Sequence, residues 1–483
     1  NDHVNERTGG YLALQWAPND DTEVYLTAFQ SKHDSRWDEN AFFISGYTGD
    51  QALVPVAGAN DWVYNSNGSL ISGTATVADP ANWGVDFGTS TRYAQNKSKT
   101  TDISAGVKWS PDENWKFSAD LQRVESEATL DDYTLGLIVM PEQVKLSGVG
   151  TERPSVLIDQ GSNFANYTLG QEMAHKKDNE AEATAFQFDA EYSFDDSIIK
   201  SVKSGIRYSE KEANNRETPY DWHTRYATWF TKLDWNGYNK SDLPRVTQEE
   251  ANNYLQLYSF DNFQRGDVAV PGAAYLYTPA AVANYRATTD AINGNPAETC
   301  ANYQDWICGS IYPNWDSLDL NNPNNRNTQK ETSFAAYMMA NFAFEDLAMP
   351  IDGNIGVRVV SVDNTATGYV VYPTEVVPGV DINFPSEFVD QTKSRTNVLP
   401  SLNLRMEVTE DFFIRFAASE AIWAPNFSEM SAAVTMSASK KEGVDVATGP
   451  DDYEFNYSPK GNPMLEPMEV TQFDLSAEWY FDD

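Results

Sequence analysis

Apolar and polar side chains trade places at every second residue along one stretch of this chain after another. Residues 398–419, VLPSLNLRMEVTEDFFIRFAAS, set the pattern. Leu402, Leu404, Met406 and Val408 alternate with Ser401, Asn403, Arg405 and Glu407, the chain turns at Glu410-Asp411, and Phe412, Ile414, Phe416 and Ala418 then alternate with Arg415 and Ser419. A period of two marks a strand with one apolar side and one wet side. The same hairpin recurs with Leu12, Leu14 and Trp16 before Val24 to Phe29, and with Ile103, Val107 and Trp109 before Trp115, Phe117 and Leu121. Phe186, Phe188 and Tyr192 precede Val202, Ile206 and Tyr208, residues 334–344 precede 355–359, and Phe473, Leu475 and Trp479 form a last strand.

The spacing of the turns decides what covers the apolar side. A soluble β-sandwich turns roughly every 8 to 12 residues at both ends of its strands. Here short acidic turns near residues 20, 112, 196, 348, 410 and 482 all join strands at one end. At the other end the connections are long, at 33–100, 123–183, 209–331, 362–395 and 420–469. Short turns on one side and long loops on the other are the layout of a transmembrane β-barrel, with turns in the periplasm and loops outside the cell. Trp16, Trp109, Trp115, Phe194, Trp479 and Phe481 beside the short turns suit an interfacial girdle. The strands number about eleven, and an open sheet in lipid leaves unpaired backbone at its edges, so these residues are expected to form part of a larger barrel.

Composition is compatible with that reading and excludes others. With 71 acidic against 34 basic residues, net charge -37, the chain is a poor partner for nucleic acid. No run of 18 apolar residues offers a membrane helix, and a mean hydropathy of -0.53 does not argue against a barrel, whose long polar loops and alternate strand residues lower the average.

Three blocks carry a resemblance. Thr396-Asn397-Val398-Leu399-Pro400-Ser401-Leu402-Asn403-Leu404-Arg405, with Phe413 to Ser419 and Ala424-Pro425-Asn426-Phe427, resembles the barrel of TonB-dependent outer-membrane receptors, within them a large proteobacterial subfamily. Gly461-Asn462-Pro463-Met464-Leu465-Glu466-Pro467-Met468 and Phe473 to Phe481 are similar to a later block of that barrel, and Leu14 to Asp20 resembles an earlier hairpin. The resemblance is specific over 396–481 and weaker elsewhere. It implies an all-β, antiparallel barrel of about 22 strands filled by a plug domain. Residues 1–483 are then expected to supply the central part, with plug and final strands lying outside them. It further implies residence in the outer membrane of a Gram-negative bacterium and uptake of a scarce nutrient energised by the TonB–ExbB–ExbD complex, through a segment these residues do not contain. Outer-membrane lipid, lipopolysaccharide and a surface lipoprotein are the other partners considered.

No catalytic pattern emerges: GxSxG, Walker-type and HExxH motifs are absent, and no enzyme activity or cofactor is expected. His3, His33, His175 and His223 are scattered and read as solvated loop residues, and no metal site is expected. The acidic loop 316–327 does not match an EF-hand. Cys300 and Cys308 lie close together in an Asn- and Trp-rich stretch, as a local disulfide would in an oxidising compartment. The loops are rich in rings that can stack on a ligand: Trp222, Trp229, Trp235, Tyr238, Trp306, Tyr312, Trp315 and Trp423 are the candidate binding residues. An oligosaccharide is the first expectation for the ligand and a ferric siderophore the alternative, since a net acidic surface disfavours an anionic chelate. A passive porin or adhesin, and a secreted all-β carbohydrate-binding protein, are the competing classes.

Overall fold

The computed structural model describes all residues except 1, 47, 81–83, 159–160, 225–245, 261, 269–272, 294–317, 373–385, 445, 447 and 482–483. One antiparallel sheet dominates. Its main path has eleven strands in chain order: β1 (Asp2–Asn19), β2 (Thr22–Ser45), β3 (Asp86–Trp109), β4 (Trp115–Val139), β5 (Thr168–Ser193), β6 (Ile199–Glu217), β7 (Arg326–Phe344), β8 (Ile351–Val371), β9 (Glu387–Thr409), β10 (Phe412–Trp423) and β11 (Met468–Trp479). Each strand pairs with its sequence neighbour, as hairpins joined end to end must.

Side-chain hydrogen bonds to the backbone fix the short turns. Asn19 Oδ1 accepts from the Asp21 amide at 3.1 Å, and Asp112 Oδ1 accepts from the amides of Asn114 and Trp115 at 2.9 and 2.8 Å. This is why Asp and Asn collect there. Asp196 takes a left-handed conformation, φ 47°, which Asp tolerates better than most residues. Aromatic rings ring these turns: Trp115 stacks on Phe117 and meets Tyr192, and Trp109 stacks on Phe117.

The two sides of the sheet differ as the alternation requires. On the apolar side Ile355, Val357, Val359, Met338, Val398, Phe473 and Leu475 face outward and exposed, and Leu402, Leu404, Ile414 and Phe416 are only half-buried, with no second sheet against them among the described residues. On the polar side charges neutralise one another: Lys108 with Glu23 at 2.9 Å, Arg405 with Asp352 at 2.7 Å, and Arg415 with Glu478 at 2.8 Å. A three-strand device appears twice there. Tyr25 stands opposite Gly106, which stands opposite Asp120, and the Tyr25 hydroxyl crosses the glycine to donate to Asp120 at 2.9 Å. Tyr337, Gly205 and Asp189 repeat it with a 2.5 Å bond. Only glycine leaves room for the crossing ring: a Cβ on Gly106 would come within 2.3 Å of Tyr25.

The strands run well into the long connections. In β3 and β4 the ladder continues unbroken to Phe87↔Val139, past the point where the outward residues become charged. Hydrogen bonding between neighbours needs no lipid, so the wall rises above the apolar band. Loop segments then build a mound on it. Leu70–Val77, from the connection after β2, pairs with Val144–Ser147, from the connection after β4. The connection after β6 contributes helices α1 (Gln248–Tyr254), α2 (Pro279–Ala283) and α3 (Tyr285–Asn293) and a hairpin of Leu255–Ser259 with Ala273–Tyr277. Thr247 and Glu250 close a capping box on α1, and Thr278 caps α2 ahead of Pro279. Thr89 and Thr91 of β3 donate to the carbonyls of Tyr275 and Tyr277, both at 2.8 Å, tying that hairpin to the wall.

Candidate functional site

The upper ends of β3, β4, β5 and β6 carry the densest cluster of buried ionisable groups among the described residues. Alternation assigns each to a side. Asp132 belongs to the polar side, continuing Asp120 and Ser118 of the same strand, and Arg92 grips it through Nε at 2.8 Å and Nη2 at 2.5 Å. A fork of this kind is the strongest form of ion pair. The hydrogen bond to Asp132 raises the Arg92 guanidinium further above its ordinary value. The Trp37 ring lies under Arg92 at 4.6 Å.

In register with Asp132 stands His175. Its Nδ1 donates to the Thr218 carbonyl at 2.9 Å, its Nε2 is 3.6 Å from Glu217, and the Tyr220 ring stacks on it at 4.0 Å. Lys177 reaches the same Glu217 oxygen at 2.8 Å. From the connection before β11, Lys460 donates to the Asn324 carbonyl at 2.5 Å. Burial pushes the Lys460 ammonium down, and the Glu217 charge resists that shift. Nearby, Gln329 of β7 donates to the Met430 carbonyl at 3.0 Å, so residues 430–434 lie on the polar side of the wall.

Through the sheet, on the side continuous with Leu121 and Phe186, lies a second cluster. His223 Nε2 is 3.3 Å from Glu172 and 3.4 Å from the Tyr285 hydroxyl, and the three are buried. Tyr285 opens α3 and stacks on Tyr133 of β4 at 5.1 Å. Burial, reinforced by Asp131, raises the Tyr133 phenol well above its ordinary value. A cleft of about 760 Å³ opens beside this stack, lined by Tyr133, Lys176, Tyr285, Arg286, Leu318 and Asp319.

The expected binding residues fare differently. Trp222 pairs with Met173 and is 55% exposed; Trp423 ends β10 opposite Met468 and is 74% exposed. Both offer free ring faces, yet β7, β8 and β9 separate them along the sheet. Trp229, Trp235, Tyr238, Trp306, Tyr312 and Trp315 lie outside the described residues, as do Cys300 and Cys308. The reading of His175 and His223 as solvated is corrected. Both are buried, because β5 continues past the lipid-facing stretch and the segment 218–224 folds back onto it. Extending the alternation of β4 and β5 upward would have placed Asp132 and His175 on the polar side. The contacts with Arg92, Glu217 and Tyr285 have no local signal. Among the described residues no three His, Cys, Asp or Glu side chains converge as metal ligands.

Comparison with known proteins now adds to the geometry. The family model described as TonB dependent receptor-like, beta-barrel, matches residues 145–483. No curated protein matches the chain. Among solved structures, the ferric-catecholate import receptor Fiu of Escherichia coli K12 in its closed form is 10% identical, covering 99% of this chain and 55% of that one, with a TM-score of 0.35. Its open form is 11% identical over 88% and 54%, with a TM-score of 0.31. The ferric yersiniabactin uptake receptor FyuA of Yersinia pestis is 7% identical over 98% and 52%, with a TM-score of 0.27. The chain thus spans about half the length of these structures.

Proposed function

The chain belongs to the TonB-dependent receptor-like β-barrel family, and from that premise we propose that it forms part of the wall of an outer-membrane receptor importing a scarce nutrient. Members of this family are receptors and transporters of the Gram-negative outer membrane rather than enzymes. The observation that carries the reading is the two-sided wall. One side is apolar and uncovered from Val398 to Met406 and from Phe334 to Ala340, and the other is lined with mutually neutralised charges. Lipid suits the first and a water-filled or plugged lumen the second. Eleven strands are about half of the 22 that plugged outer-membrane transporters use, which supports a barrel completed by further strands and a plug. Energy from TonB–ExbB–ExbD then follows from the family.

For the ligand we favour an oligosaccharide. Trp222 and Trp423 present open rings, and the cations of the vestibule are already spent: Arg92 on Asp132 and Lys177 on Glu217. A neutral ligand that stacks suits such a surface. A ferric chelate is the second reading, favoured by Lys460, an exposed cation facing the same vestibule. The test is calorimetric titration of the full-length receptor in detergent with oligosaccharides and with ferric siderophores, followed by uptake in cells with and without TonB. Saccharide binding lost in Trp222→Ala or Trp423→Ala supports the first reading. Binding of ferric chelates alone transfers the assignment to the second, and uptake that survives loss of TonB overturns energised transport.

A further inference from the structure

After β6 the chain turns back and lays a short strand, Asp221–Thr224, along the upper end of β5, with Trp222 opposite Met173 and His223 opposite Glu172. So small a ladder is marginal by itself, and side chains decide how firmly the strand stays. Alternation puts Trp222 on the side of Met173 and His175 and sends His223 to the other side, where it is buried with Glu172 and Tyr285. Whatever fixes His223 therefore fixes the neighbouring Trp222.

His223 stands between two carboxylates. Its Nε2 is 3.3 Å from Glu172 and 3.4 Å from the Tyr285 hydroxyl, whereas its Nδ1 lies 3.8 Å from Asp221 and makes no hydrogen bond. A neutral imidazole carries hydrogen on one nitrogen only, so with Nε2–H given to Glu172 the Nδ1 lone pair faces an anion. A proton on Nδ1 replaces that repulsion with an N–H aimed at Asp221, a charge-assisted contact. Around this group stand Tyr133 of β4, stacked on Tyr285 and bonded to Asp131, with Lys176 and Arg286 in the adjoining cleft. The two cations oppose a further positive charge only weakly: Lys176 is four residues along β5 from Glu172, and the Arg286 side chain is 71% exposed.

His175 repeats the arrangement from the facing strand. Its Nδ1 donates to the Thr218 carbonyl, and its Nε2, likewise without a hydrogen bond, faces Glu217 at 3.6 Å beneath the Tyr220 ring. Here Lys177 already holds the carboxylate at 2.8 Å, Lys460 is attracted to it, and Asp132 in register carries Arg92, so a proton gains less. His223 is the half that responds.

We propose that the strand Asp221–Thr224 is a proton-operated clasp: His223, charged between Glu172 and Asp221, fixes Trp222 on the vestibule side, and loss of the proton loosens it. As regulation of the ligand site this rests on the stacking role given to Trp222 above. Histidine changes charge between about pH 5 and pH 8, so the added hold is present at the acid end and is lost as pH rises.

The test is hydrogen exchange of the full-length receptor in detergent, read by mass spectrometry on peptides spanning 218–224 from about pH 8 to pH 5 and corrected for the intrinsic pH dependence of exchange. Protection should rise about tenfold toward acid in wild type. The rise should shrink to about twofold or less in His223→Gln and in Asp221→Asn, and His33→Gln should keep the wild-type response. A flat wild-type profile, or an undiminished rise in His223→Gln, overturns the clasp. Should His223→Gln protect less than wild type at the alkaline end, the variant has lost the strand itself, and Asp221→Asn decides: a shrunken rise supports the clasp and a full one overturns it. Unchanged oligosaccharide affinity in Trp222→Ala refutes the stacking role and not the clasp, because the exchange response is read without ligand.

Discussion

Leu402→Arg is the most direct challenge to the claim that hydrocarbon covers the apolar side. Leu402 stands six residues above Val408 on β9. At about 3.4 Å per residue that is roughly 20 Å of strand, and a tilt near 45° leaves about 14 Å of height. This is the middle of an apolar band about 25 to 30 Å tall. An arginine at the midplane of a barrel's lipid face costs about 2 to 4 kcal/mol, and one near the interface about 0 to 1 kcal/mol. Val398, exposed on the same side and ten residues above Val408, sits about 24 Å up, at the outer edge. Leu402→Arg should therefore destabilise the receptor by about 2 to 4 kcal/mol, while Val398→Arg and the polar-side Asn403→Arg cost less than about 1 kcal/mol. Guanidinium unfolding from lipid vesicles, followed by tryptophan fluorescence, measures all three. Equal costs at 398 and 402 would falsify the bilayer, because protein packed on that side has no reason to follow depth.

Other expectations follow from contacts away from the lipid. Gly205→Ala places a Cβ 2.3 Å from Asp189 Oδ1 and 2.6 Å from the Tyr337 ring, and should lower stability by about 1 to 3 kcal/mol. A Tyr337→Phe background should shrink that cost if the crossing hydrogen bond is the reason for the glycine, and an undiminished penalty argues against the device. Tyr167, buried under the mound, donates to the Gly161 carbonyl at 2.8 Å, and burial pushes its phenol up to about 12. Because the folded value lies above the unfolded value of 10.0, this contribution is present below pH 10 and disappears as pH rises through about 12. Hydrogen exchange of the mound should accelerate over that window in wild type, and a Tyr167→Phe variant with the same pH response would remove the cause. Cys300 and Cys308 should resist alkylation until reductant is added; mass spectrometry showing two free thiols after oxidising isolation rules out the bridge.

Much of the wall was legible because its two solvents differ so sharply. Leu402, Leu404 and Met406 against Asn403, Arg405 and Glu407 state side and register together, since a slip of one residue would put every charge into lipid. The pattern fades where the outward residues become charged as well. Lys97, Lys99, Glu125 and Glu127 alternate with polar neighbours, so the rising strands look like loop although the ladder is unbroken. The two buried histidines were lost in that stretch. The helices left a local trace, Thr247-Gln248-Glu249-Glu250 and Thr278-Pro279, which capping rules can read. The pairing of Tyr25 with Asp120 across Gly106 left none, because it exists only once three strands are in register.

The same side of the sheet is thus apolar twice. On β4, Trp115 to Leu121 face outward first, then Arg123, Glu125, Glu127 and Asp131, and then Tyr133, Leu135 and Leu137. The lower stretch stays uncovered, with Leu121 55% exposed, whereas Leu135 and Leu137 are fully buried beneath the mound. Two apolar stretches on one face, split by a charged interval, need two different covers, and only the lower stretch lies beside the short turns. Lipid therefore takes the stretch nearest the turns, and the loops must fold outward onto the upper one. On the polar side of the same strands Asp132 and His175 are buried, while Arg92 and Glu217 keep part of their side chains exposed. A face carrying paired ionisable groups and a face covered by the loops are in this way set back to back on one strand pair by the alternation alone.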